Sequence, residues 1–312
     1  MENWFLIALI APILWSIVNH IDKHILSKYQ EGRGIGAILI FSSLFSVFVL
    51  PFIAFLHPSE IFNISFGNFF ILIFIGFLGA MAFYFYLKAM DVEEASVVVP
   101  LFQFDPVFGY ILSYFILGES LNVFQILSSI LILVGIIILS IEIDIDNKFK
   151  IKKRVLFLVA VSSFLFALGG VLFKKLALAD SFWIAIFWQY VGLTLFGILV
   201  FIFHKKLKRD FLNMVRVPQL KIFFLNIISE LLYIIGGIAN NFAIIIAPVT
   251  LVFVVNSYQP IFVFITGVFL TIFFPKFVLE KISSKHFFHK LLSIIIILAG
   301  SCLLYLSSNT TH

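Results

Sequence analysis

The sequence predicts an all-α, polytopic membrane protein of ten transmembrane helices, arranged as two inverted five-helix repeats. Three observations carry that expectation. The chain is 62% hydrophobic and only 12% charged, with 42 Phe among 312 residues and a mean hydropathy of +1.16; a globular domain has about twice that charged fraction. Its apolar residues gather into ten runs, each close to the roughly 20 residues that cross a bilayer. Landmarks of the first five runs recur in the last five.

The ten expected spans are residues 3–21, 34–56, 67–89, 94–117, 121–141, 155–177, 181–203, 219–244, 247–274 and 288–307. They are continuous and do not alternate, which excludes a membrane β-barrel. The opening MENWFLIALIAPILWSIV lacks a basic leader and a small-residue cleavage site, so it reads as a first membrane helix and not as a signal peptide. The single cysteine, Cys302, permits neither an intrachain disulfide nor a cysteine-based metal site. The net charge of +5 sits in loops between spans and not on a folded basic face, so nucleic acid is not an expected partner. Neither a phosphate-binding Gly-Lys-Ser/Thr loop nor a G-x-S-x-G, H-E-x-x-H or C-x-x-C motif occurs, so an enzyme is not expected, and no cofactor or metal either.

The repeat is visible by subtraction. Lys23 after the first span matches Lys174 after the sixth, an offset of 174 − 23 = 151. Gln103-Phe104-Asp105-Pro106 falls on Ser257-Tyr258-Gln259-Pro260, offset 260 − 106 = 154, and Gly135 falls on Gly300, offset 300 − 135 = 165. The last jump locates an insertion in the loop Pro275 to Phe287. Residues 1–141 form the expected first repeat, 142–154 a linker and 155–312 the second repeat. Five spans per repeat is an odd number, so the halves must lie in opposite orientations. Of the 21 Lys and Arg residues, all but Lys174 and Lys175 fall on one alternating set of loops. The positive-inside rule makes that set cytoplasmic and puts both termini outside.

Few polar groups interrupt the spans, and each is a candidate. Asp105 lies beside the helix breaker Pro106 in the middle of the fourth span, where an ionisable group is costly and marks function by default. The alternative is a protonated, buried Asp bonded to a neighbouring helix. Gln259 is its uncharged counterpart in the second half. Glu230 lies mid-span where the first half has Gly76; a structural bond to a nearby Trp or Tyr is an equal alternative. Asn240 and Asn241 extend that polar stripe. Trp15 and Asn19 share one face of the first helix, four residues apart. Tyr84, Gln103 and Tyr258 complete the expected lining of a central cavity. His20, Asp22, Lys23 and His24 read as a cytoplasmic interface cluster, and Trp183, Trp188 and Tyr190 as interfacial anchors. Gly76, Gly79, Gly169, Gly170, Gly236 and Gly237 allow close helix contact.

The run from Ala95 to Gly135 joins a Pro-bearing helix, the turn "LGE" and an aliphatic helix ending in "LILVG", preceded by "YFYLKAMDVEEAS". This pattern resembles the EamA-type branch of the drug/metabolite transporter superfamily. The resemblance implies a ten-helix secondary carrier in the inner cell membrane, an exporter of small amphipathic metabolites such as amino acids or aromatic compounds. It also implies alternating access about a midplane cavity, with helices five and ten outside it and available to a homodimer. Both termini inside is the family's habit, against this chain's own charge count. Proton or cation coupling at Asp105 is expected. A lipid or polyprenyl-phosphate carrier, and an intramembrane enzyme pairing Asp105 with Glu230, are the rival readings. Glu119 of "LGE" is expected to cap helix five or bond loop backbone.

Overall fold

The computed structural model describes residues 4–28, 34–93, 95–102, 104–140, 153–216 and 220–273, and within 295–306 all but 298, 301 and 305. Every regular element among them is a helix: α1 (Trp4–Ser27), α2 (Ile35–Phe45), continued through a 3₁₀ turn (Ser46–Phe48) into α3 (Val49–Leu56), α4 (Phe66–Val92), α5 (Ala95–Leu101), α6 (Phe104–Leu117), α7 (Val123–Ser140), α8 (Lys153–Ala179), α9 (Phe182–Phe203), α10 (Lys205–Arg216), α11 (Leu220–Ile246), α12 (Val249–Asn256) and α13 (Gln259–Phe273). Among the described residues, seven helical segments are long and apolar enough to cross a membrane, with α2–α3 and α12–α13 each counted as one. Shorter apolar helices are Phe104–Leu117, Val123–Gly135 and Ile295–Leu304. Large apolar side chains such as Phe48, Phe55, Phe66, Phe115, Phe124 and Phe203 face outward, as a bundle solvated by lipid requires. The protein is an integral, multi-pass membrane protein.

Local signals set the helix ends. Ser65 and Ser181 cap α4 and α9 by accepting from the backbone N–H groups of Asn68 and Ile184. Asn122 and Gln125 bond each other's backbone reciprocally before α7, a capping box at 3.0 and 2.8 Å. Gly118 ends α6 at a positive φ of 70°, the conformation that costs glycine least. Residues 205–216, which the charge-rich stretch marks as a loop, form α10. Leu207 and Met214 recur at helical spacing and are buried while Lys205, Lys206 and Arg209 stay exposed, so the helix is amphipathic along the bundle surface.

Packing interleaves the two halves of the chain. The most extensive helix pairs are α1 with α11 and α4 with α8, each joining an early to a late helix. At the α4–α9 crossing, Gly76 and Gly192 replace side chains with backbone. A Cβ on Gly76 would strike the Leu193 amide nitrogen at 2.5 Å, and one on Gly192 would meet the Ile73 Cα at 2.8 Å. Two contacts fix helix direction. The first turn of α4 meets the end of α8, where Asn68 Nδ2 donates to Asp180 at 2.9 Å. The end of α4 meets the end of α1, where Lys23 Nζ donates to the carbonyls of Met90 and Glu93, both at 2.8 Å. A 27-residue helix spans about 40 Å at 1.5 Å per residue, so α1 and α8 terminate at opposite ends of the bundle.

Two spans are broken at matching places. The expected fourth span is divided into α5, which ends at Leu101, and α6, which begins at Phe104; the expected ninth is divided into α12, which ends at Asn256, and α13, which begins at Gln259. Asp105-Pro106 and Gln259-Pro260 therefore sit in the first turn of a half-helix, where proline's missing N–H costs nothing. Glu119 does not cap α7. Its carboxylate accepts from the Val249 N–H at the start of α12 (2.9 Å) and pairs with Lys174 at 2.6 Å. Lys174 also donates to the Ala247 carbonyl at 2.7 Å. This clamp joins the turn after α6 to α8 and to the α11–α12 corner.

Candidate functional site

Both helix breaks open onto a cavity of about 190 Å³ between α1, α4, α6, α8, α9, α11, α12 and α13. Its polar lining comes from Asn19 and Asp22 of α1, Asp105 of α6, Gln189 of α9, Asn240 and Asn241 of α11, Asn256 of α12 and Gln259 of α13. Aromatic walls are supplied by Trp15, Phe83, Tyr86, Phe173, Tyr190, Tyr233 and Phe253. No Lys, Arg or His occurs among the described lining residues.

One hydrogen-bonded chain runs along the α1 side. Gln259 Nε2 donates to Asn19 Oδ1 at 2.7 Å, and Asn19 Nδ2 donates to the Tyr86 hydroxyl at 2.8 Å. Tyr86 donates to Asp22 Oδ2 at 3.3 Å, and Ser229 donates to Asp22 Oδ1 at 3.1 Å. Asp22 is only 1% exposed. It is thus not an interface residue beside Lys23 but the buried terminus of a network that begins at a cavity amide. A second pair of contacts lies opposite, with Asn241 Nδ2 on Gln189 Oε1 at 3.0 Å and Asn256 Nδ2 on Asn240 Oδ1 at 2.7 Å. Two cavity-lining oxygens, Asp105 Oδ1 and Asn256 Oδ1, have no hydrogen-bond partner in the protein.

The cavity brings together Trp15, Asn19, Asp105, Asn240 and Gln259 of the residues singled out in the sequence. Trp15 Nε1 also donates to the Tyr233 carbonyl at 3.3 Å, bonding α1 to α11. Others go elsewhere. Glu230 is 4% exposed and lies outside the lining, bonded to Ser42 of α2 on the far side of Asp22. Asp105 and Glu230 are therefore not paired across the cavity. Tyr84 packs on the apolar core with the Lys88 ammonium 4.4 Å above its ring. Tyr258 is buried against Phe5, its hydroxyl unpartnered and away from the cavity. Gln103 lies outside the described residues. His20 is buried, its Nε2 2.9 Å from the Val263 carbonyl.

Several lining residues escaped the sequence reading. Tyr190, an expected interfacial anchor, is a buried wall residue, whereas Trp183 stacks on His57 and Trp188 bonds the Ile61 carbonyl near the helix start. Gln189 carried no signal, since α9 is apolar on every side around it. Asp22 did carry one: Trp15, Asn19 and Asp22 follow at i, i+4 and i+7, a single helical face. Asn226, Ser229, Tyr233 and Asn240 likewise mark one stripe of α11.

Comparisons with known proteins agree with this architecture. A crystal structure described only as that of a protein is 12% identical, aligns over 100% of both chains and has a TM-score of 0.65, which shows a shared fold. No curated protein sequence matches the chain. The model of the EamA-like transporter family matches residues 2–141, the segment containing α1 to α7 and the Asp105-Pro106 break. Over residues 2–141, this chain is thus similar to the EamA-like transporter family.

Proposed function

We propose that the protein is a secondary carrier in the inner cell membrane that exports small amphipathic metabolites, amino acids or aromatic compounds among them. The carrying observation is a cavity inside the bundle, mainly apolar and aromatic but set with amides and two acids, and lined by helices from both halves of the chain. Its volume of about 190 Å³ is below the roughly 300–1,000 Å³ of drug-sized sites, which favours one small solute. The two halves, residues 1–141 and 155–312, act as inverted repeats that rock about this cavity. Support for inversion comes from α1 and α8 ending at opposite ends of α4. A reciprocal contact adds to it: a Cβ on Gly135 would meet Ile297 Cγ1 at 2.7 Å, and one on Gly300 would meet Ile132 Cγ1 at 2.8 Å. Both partners of that contact are 165 residues apart (300 − 135 and 297 − 132), as a two-fold relation between halves requires.

The broken spans give the mechanism its moving parts. At each break short backbone bonds carry the chain over, Asp105 N–H to the Phe102 carbonyl at 2.9 Å and Tyr258 N–H to the Val255 carbonyl at 3.0 Å, and a break of this kind is a place where a span can bend. Asp105 exchanges a proton or cation as the cavity changes sides, while Gln259 supplies the uncharged equivalent. A lipid or polyprenyl-phosphate carrier fits less well, because the described lining holds no cation to meet a phosphate.

The test is counterflow in proteoliposomes with labelled amino acids and aromatic amines. Preloaded unlabelled substrate should accelerate uptake of the labelled compound. An imposed pH gradient should drive its accumulation in the parent protein. Asp105→Asn should retain exchange at saturating substrate but ignore the gradient. Absence of counterflow for every compound would refute the carrier.

A further inference from the structure

Four of the first five residues of α10 are cationic: Lys205, Lys206, Lys208 and Arg209. Lys205, Lys206 and Arg209 are exposed. Lys208 is half-buried, its ammonium 4.8 Å above the Phe201 ring. The one acid of the helix, Asp210, is 2% exposed and turns toward α2, where a Cβ on Gly36 would come within 3.0 Å of its own Cβ. The cationic face of α10 therefore carries no carboxylate of its own. Folding of the helix does not account for this charge. Lys205 and Arg209 are like charges at i, i+4, a spacing that destabilises a helix, and they lie at the end where the helix dipole is positive as well. What holds α10 is its other side. Leu207 and Met214 are buried, and a Cβ on Gly36 of α2 would strike the Leu207 Cα at 2.6 Å. Phe211 meets Phe201 of α9 edge-on at 5.9 Å. Firm packing on α2 and α9 thus keeps the cations on one fixed face.

The surroundings of that face identify its partner. Just before α10, Ile202 and Phe203 at the end of α9 point outward, Phe203 with 76% of its surface exposed. Val215 near the end of α10, and Phe223 and Phe224 at the start of α11, are exposed too. Large apolar side chains turned outward on a membrane bundle belong in the hydrocarbon or at its edge. Only His204 separates Phe203 from Lys205. Cations so close to the hydrocarbon edge lie at the depth of the lipid headgroups. A basic face bordered by an apolar one suits an anionic lipid on both counts, since the charges meet the phosphate and the apolar border meets the acyl chains. An acidic soluble protein would satisfy the cations and leave that border uncovered.

On these grounds we infer that Lys205, Lys206 and Arg209 form a headgroup site for anionic phospholipid, whose acyl chains lie against the exposed apolar side chains at the end of α9 and the start of α11. The site is separate from the cavity and does not depend on what the cavity carries.

Native mass spectrometry of the detergent-purified full chain tests this lipid by lipid, in separate titrations with phosphatidylglycerol and phosphatidylcholine of the same acyl chains. The first phosphatidylglycerol should bind more tightly than the first phosphatidylcholine. Each Lys or Arg at a headgroup is worth about five-fold in affinity. Arg209→Gln should therefore weaken phosphatidylglycerol by about five-fold and leave phosphatidylcholine unchanged. The triple variant Lys205→Gln/Lys206→Gln/Arg209→Gln should bring the two lipids level. Lys205→Arg/Lys206→Arg/Arg209→Lys preserves the charge and should keep the preference, which separates lost charge from lost fold. Lys153→Gln/Arg154→Gln removes two exposed cations at the start of α8 and should keep it too. Excess inorganic phosphate should not displace the lipid, because it lacks the acyl chains. Level binding of the two lipids by the parent protein would overturn the site and leave the face to a soluble acidic partner. An unaffected triple Gln variant, an equal loss in Lys153→Gln/Arg154→Gln, or displacement by phosphate would overturn it as well.

Discussion

The Glu119–Lys174 clamp makes a quantitative demand. Glu119→Gln keeps an oxygen for the Val249 N–H, 2.9 Å away, and removes the negative charge 2.6 Å from the Lys174 ammonium. Lys174, whose side chain is 9% exposed, is then left with the Ala247 carbonyl alone. Breaking a fully buried ion pair from one side costs about 3–5 kcal/mol, chiefly from the charge left unpaired. The Glu119 side chain is 16% exposed, so water screens part of this, and a loss of about 2–3 kcal/mol is expected. Thermal unfolding in detergent should report it as a lower midpoint. Lys174→Met removes the buried ammonium, so the double variant Glu119→Gln/Lys174→Met should be more stable than the sum of the single losses by about 1–2 kcal/mol. Strict additivity, or an unchanged midpoint in Glu119→Gln, would mean that the pair contributes no coupling and that the corner is held by backbone bonds alone.

Two further outcomes follow from the hydrogen-bond chain and from the loop charges. Tyr86→Phe deletes the hydroxyl that links Asn19 to Asp22, leaving a buried carboxylate short of a donor; it should destabilise by about 1–3 kcal/mol and weaken solute binding by releasing Gln259 from its oriented position. Unchanged binding and stability in this variant would reduce the chain of contacts to a packing accident. A C-terminal reporter that fluoresces only in the cytoplasm should stay dark, because Lys and Arg crowd the opposite set of loops and one of the two exceptions, Lys174, is already neutralised by Glu119. A bright reporter would reverse the orientation without touching the fold.

Membrane residence, helical class and the approximate spans were legible without coordinates, because a bilayer imposes a length and an apolar composition on any segment that crosses it. Asp105 beside Pro106 stood out in an apolar run, and the structure sets it in the first turn of α6 on the cavity lining. The compact turn at Gly118-Glu119-Ser120 was readable too, and it separates α6 from α7. Hydropathy hid α10, whose lysines read as loop although Leu207 and Met214 keep a helical spacing.

Composition and hydropathy were thus enough for the medium and the helical class, whereas ten spans were expected and seven helical segments among the described residues are long and apolar enough to cross a membrane. Which polar groups share a cavity is a property of the packed helices. Asp22 looked like a neighbour of Lys23, yet it turns inward to Tyr86 and Ser229, while Lys23 caps the end of α4. Glu230, equal in composition to Asp105 as a mid-span acid, faces Ser42 behind that network. Glu119 reaches a helix start 130 residues away. The reason is physical: in lipid every apolar face is equally acceptable outward, so hydropathy cannot orient a helix about its own axis. Orientation comes from the pairing of scarce polar groups and from close backbone approaches such as Gly76 to Gly192, and both are contacts between residues far apart in the chain.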